Sequence, residues 1–141
     1  MVTTSSVLTL QLAQALGLYM IVAGLSGLVA PQRWKGTIDD LACSAGMQMA
    51  MGVAVFAIGV ALVISHSILT DPLAIIVTLF GWAALLEGAL LIAAPAPLIR
   101  IGRLALGQTR LWAILSLILG LLLGLAGLTG RAGSAEPLAL L

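Results

Sequence analysis

Four long apolar runs, separated by short polar interruptions, set the pattern of this chain. The runs lie near residues 7–30, 41–64, 73–94 and 111–129. Each reaches the length of about 20 predominantly apolar residues that a helix needs to cross a bilayer. The first interruption reads Pro31-Gln32-Arg33-Trp34-Lys35, and another runs from Pro95 to Arg110. The pattern predicts an all-α, four-span transmembrane helical bundle built from two helical hairpins. It forms one integral membrane domain over residues 1–141, with units near 7–64 and 73–129 and a short tail at 130–141.

Composition removes the main rival class. Hydrophobic residues make up 62% of the 141 residues and charged residues only 8%, against roughly a quarter charged in a soluble domain. So few charges could not cover a soluble surface of this size. The first run lacks the basic leader of a signal peptide, because residues 1–6 hold no lysine or arginine, and it reads as a retained span. A net charge of +1 without a basic run gives no reason to expect nucleic acid as a partner. The single cysteine, Cys43, forms no internal disulfide.

Basic residues fix the expected orientation. Arg33, Lys35, Arg100, Arg103 and Arg110 fall in the first and third connections, and Arg131 alone falls in the tail. That bias places the first and third connections in the cytoplasm and both termini outside. Arg100, Arg103 and Arg110 recur at helical spacing with Leu98, Ile101 and Leu104 between them, and Trp34 suits headgroup depth. These residues are expected to anchor the cytoplasmic interface, with anionic-lipid binding as a further role.

The two halves align. An offset of 64 sets Gly17 on Gly81, Gly24 on Gly88, Ala30 on Ala94 and Pro31 on Pro95. An offset of 68 sets Gly52 on Gly120 and Gly59 on Gly127. Two parallel copies of a helical hairpin are expected, related by a pseudo-twofold axis along the membrane normal. Each half resembles the small two-span bacterial inner-membrane family typified by YjeT, a family of unknown function. The first half keeps Gly24, Pro31, Trp34, Lys35, Gly52 and Gly59, with Ala23 where that family has glutamate. The second keeps Glu87-Gly88, Pro95, Gly120 and Gly127 but lacks the tryptophan. The resemblance implies a bacterial cytoplasmic-membrane location and no known chemistry.

Few side chains carry candidate chemistry. Glu87 lies about 10 Å inside its span, where an ionised carboxylate costs a few kcal/mol, so it is a functional candidate by default. Gln48 and Ser116 sit at a similar depth on neighbouring spans and are expected to complete a buried polar cluster with it. His66, near Ser65, Ser67 and Asp71, reads as a surface-loop histidine rather than a metal ligand. Gly120-Leu121-Leu122-Leu123-Gly124 is a GxxxG extended by Gly127, and Ala84 with Gly88 forms a second small pair. Together with Gly17, Gly24, Gly52 and Gly59 these are the predicted helix-packing positions.

No enzyme motif, cofactor site or metal site is expected. The reading is a non-enzymatic accessory or scaffold protein in the lipid bilayer, docking by small-residue faces onto a membrane-protein partner or a second copy. The alternative is a small carrier or channel with Glu87 as proton or cation site.

Overall fold

The computed structural model describes residues 4–67, 69 and 71–130, with side chains from residue 7. Its order is α1 (Thr4–Val29), α2 (Pro31–Cys43), α3 (Ala45–Ser65), α4 (Pro72–Ala93), α5 (Pro95–Leu106) and α6 (Thr109–Thr129). The helices α1, α3, α4 and α6 are long and apolar enough to span a membrane. The protein is a multi-pass, all-α membrane protein. The expectation about the tail concerns residues 131–141, which lie outside the described residues.

Prolines set the breaks. Pro31 and Pro95 each open a helix, and the residues before them, Ala30 and Ala94, leave the helical region at φ −134° and −151°. Proline has no N–H to extend the preceding ladder, and its ring pushes the residue before it out of the α region. At the second break the Ser44 hydroxyl accepts from the Met47 N–H at 3.2 Å, so α3 begins there. The second span thus starts at Ala45 rather than at residue 41. Residues 37–43 belong to α2, a helix with polar and apolar faces well separated, as α5 is. Both connections are helices laid across the ends of the spans. Arg110 departs from expectation, falling in the first turn of α6 rather than on the face of α5.

The spans joined through α2, and those joined through α5, are not the spans that pack. α1 runs antiparallel along α6, and α3 along α4, whereas α1 and α3 hardly touch, nor do α4 and α6. The thirteen residues of α2 hold α1 and α3 apart, and the twelve of α5 hold α4 and α6 apart, so neither α1–α3 nor α4–α6 is a closed hairpin.

Glycines make both close approaches. A Cβ on Gly24 would lie 2.7 Å from the Ala113 carbonyl, and one on Gly17 would lie 2.6 Å from the Gly124 nitrogen. On the other pair, Gly59 faces the Leu85 backbone and Gly88 the Phe56 backbone. Without side chains at these points the backbones come into direct van der Waals contact, which drives association in lipid.

Contacts on the two seams correspond, but in another register than the glycine pattern gave. Gly59 lies against Leu85, and Gly120 against Ile21. Leu85 stands 64 positions after Ile21, and Gly120 stands 61 after Gly59. Likewise Gly52 meets Leu91 while Ala113 meets Gly27. By contact, the matching positions of α3 and α6 stand 61 apart, where the glycine pattern set them 68 apart. At one end of the bundle Ala13 and Val77 share the buried core with Leu73 and Leu123. At the other, Ile38 meets Gly102 and Asp39 pairs with Arg103. Ala13 and Val77, Ile38 and Gly102, and Asp39 and Arg103 each stand 64 positions apart.

Candidate functional site

Two polar assemblies emerge, one at each end of the bundle. At the end holding the α3–α4 loop, His66 is 1% exposed. Its Nε2 lies 2.7 Å from Thr9 Oγ1 on α1, and its Nδ1 lies 3.1 Å from Thr78 Oγ1 on α4. The expected surface-loop histidine is in fact the most buried polar side chain among the described residues. α3 ends at Ser65, and the next residue turns inward to φ −144°, carrying the imidazole between α1 and α4. Hydroxyls both donate and accept, so either neutral tautomer is satisfied there. On the opposite seam, the Gln14 amide donates to the Gly127 carbonyl at 2.9 Å. Gln14 stands 64 positions before Thr78, and Gly127 stands 61 after His66. The His66–Thr78 contact within the α3–α4 seam thus lies at positions matching the Gln14–Gly127 bond within the α1–α6 seam. Sequence spacing held that signal, but only in the packing register.

The proposed meeting of Glu87, Gln48 and Ser116 does not occur. Ser116 donates to the Met20 carbonyl on α1 at 2.9 Å. Gln48 donates back to the Leu41 carbonyl at 2.9 Å, tying α3 to the end of α2. Glu87 is exposed on the outer side of α4 beside exposed Leu86 and Leu90. Depth alone had grouped them. Gly88 is the residue that faces α3, which turns Glu87, one position and about 100° away, toward the surroundings.

Among the packing candidates, Gly17, Gly24, Gly52, Gly59, Gly88, Gly120 and Gly127 all meet neighbouring helices closely. Ala84 is half-buried. Gly124 differs: α1 reaches its backbone at Gly17, yet a Cβ on Gly124 itself would meet nothing within 4 Å. The seam on α6 is therefore Gly120 and Gly127, seven apart, rather than the GxxxG.

The second assembly lies at the α2–α5 end. Arg103 donates from Nε and Nη2 to Asp39 Oδ1 at 3.3 and 3.1 Å. Both partners are more than half exposed, so this pair contributes little, about 0–1 kcal/mol. Trp34 is half-buried, and its Nε1 donates to Ser26 Oγ at 3.2 Å, holding α2 against α1. Arg33, Lys35, Arg100 and Arg110 are exposed. An open cavity of about 510 Å³ lies between α5 and the α2–α3 junction, lined by Ala42, Gln48, Pro95, Arg100, Arg103 and Leu104 among others. A smaller, mostly apolar one of about 240 Å³ lies by Trp34, Trp112 and Ser116.

Residues 12–65 match a family described only as an uncharacterized protein conserved in bacteria (DUF2065). The match covers most of α1, all of α2 and all of α3. It supports similarity to a bacterial family of small proteins and carries no activity. No curated protein and no solved structure matches the chain.

Proposed function

We propose that the chain is a non-enzymatic accessory or scaffold protein of a bacterial inner membrane, docking laterally onto a membrane-protein partner or a second copy of itself. The observation that carries the reading is on α3. Its glycines Gly52 and Gly59 face α4, while Gly46, Ala50, Ala54, Ala57 and Ala61 form an exposed row on the opposite side. Those five fall within an arc of about 80° at 100° per residue. Small residues in a row let another helix approach closely, and in lipid such packing is the main source of association. Most of the glycines are consumed inside the chain, so the alanine row is the small-residue face left for a partner.

The chain is read as a fused pair of two-span units. Support comes from the common offset of the first spans, the axis pairs Ala13–Val77 and Asp39–Arg103, and the family match to one unit. The basic residues favour a cytoplasmic α2–α5 end. A carrier built on Glu87 has less support, since the carboxylate faces outward and lines neither cavity above.

Native gels of gently solubilised membranes test the docking role. The 14.4 kDa chain should migrate in a larger assembly, and Ala54→Leu with Ala57→Leu should release it as a folded monomer. Migration of the native chain as a lone monomer would overturn the proposal.

A further inference from the structure

We infer that the cavity between α5 and the α2–α3 junction is a headgroup site for an anionic phospholipid, with Arg100 and Arg103 taking the phosphate. Two guanidiniums one helical turn apart line a single recess of about 510 Å³. Guanidinium presents paired N–H donors that match phosphate oxygens. Asp39 occupies the Nε and one Nη2 donor of Arg103, which leaves Nη1 for a ligand and holds the side chain in place. Arg100 has no acidic side chain in ion-pair range among the described residues, so its charge is uncompensated.

The remaining wall selects a lipid over a free anion. Ala42, Pro95, Ile99 and Leu104 line the same recess. It opens where spans end, since Pro95 follows α4 directly and Ala42 lies just before α3. A phosphate seated on the arginines would sit at headgroup level, with its acyl chains free to run down the apolar flanks of α3 and α4. Inorganic phosphate would bring at least as much negative charge but nothing for the apolar wall. Basic recesses of this type at span ends suit anionic headgroups.

Native mass spectrometry of the full chain in mild detergent, with phosphatidylglycerol and phosphatidylcholine added together, measures the preference. Each basic residue near an anionic headgroup contributes roughly fivefold, and Asp39 offsets Arg103, so phosphatidylglycerol should be retained about fivefold better. Arg100→Gln with Arg103→Gln should abolish the preference. Arg33→Gln with Arg110→Gln removes the same charge outside the cavity and should leave it within about twofold. Arg100→Lys alone keeps the charge but loses the paired donors, and should retain part of the preference should the double variant fail to fold. Equal losses from the two double variants would show diffuse attraction and overturn the site. Displacement of the lipid by excess inorganic phosphate would overturn the lipid assignment.

Discussion

Gly120→Ala should destabilise the bundle, whereas Gly124→Ala, in the same GxxxG, should not. A Cβ on Gly120 lies 2.8 Å from the Gly17 carbonyl and from the Ile21 nitrogen, and 3.0 Å from Ile21 Cγ1. Reaching an ordinary contact requires α1 to retreat by roughly 0.6 Å. The obstacles are mostly backbone, so no rotamer change relieves them. α1 is also held at Gly24 against Ala113 and at Gln14 against Gly127, so its retreat loosens contacts along the seam. Overpacking of this kind costs about 1–3 kcal/mol. Alanine recovers about 0.5–1 kcal/mol of helix propensity at either position. The net expectation is a loss of about 0.5–2 kcal/mol for Gly120→Ala, against no loss or a slight gain for Gly124→Ala. Reversible unfolding of the purified protein in mixed micelles, titrated with denaturing detergent, measures both. Tryptophan fluorescence suits the readout, because Trp34 and Trp112 lie beside the α1–α6 seam. Equal destabilisation by the two alanines, or a greater loss at Gly124, would refute the packing register.

Replacing His66 with Leu removes both ring nitrogens from Thr9 and Thr78 and should cost about 1–3 kcal/mol in the same titration; an unchanged midpoint would deny the buried bridge a structural role. Asp39→Asn breaks an exposed ion pair and should change stability by less than about 1 kcal/mol, so a large drop would mean the α2–α5 contact depends on that charge. Expressed as two pieces, residues 1–67 and 68–141 should copurify, because each span's packing partner lies in the other piece; two independently stable monomers would contradict the exchanged pairing. Cys43 is exposed at the end of α2, and an impermeant maleimide should reach it in inverted vesicles but not in intact spheroplasts. Labelling from outside would reverse the proposed orientation.

Elements whose polar and apolar residues separate were open to reading from the chain alone. The four spans follow from length and apolarity, the ends of two from Pro31 and Pro95, and the interfacial face of α5 from Arg100 and Arg103 among Leu98, Ile101 and Leu104. Their physics is local: a missing N–H, or a charge that stays out of hydrocarbon. The spans are apolar on nearly every face, and lipid is as apolar as the interior, so no residue pattern marks which face is covered. Only the tertiary structure decided that α1 pairs with α6 rather than α3, and that Gly59 packs on Leu85 while Gly120 packs on Ile21. It also turned Glu87 outward and His66 inward. Helix length fixes how deep a side chain lies, but the angle at which one span meets another is set by close contacts between distant parts of the chain.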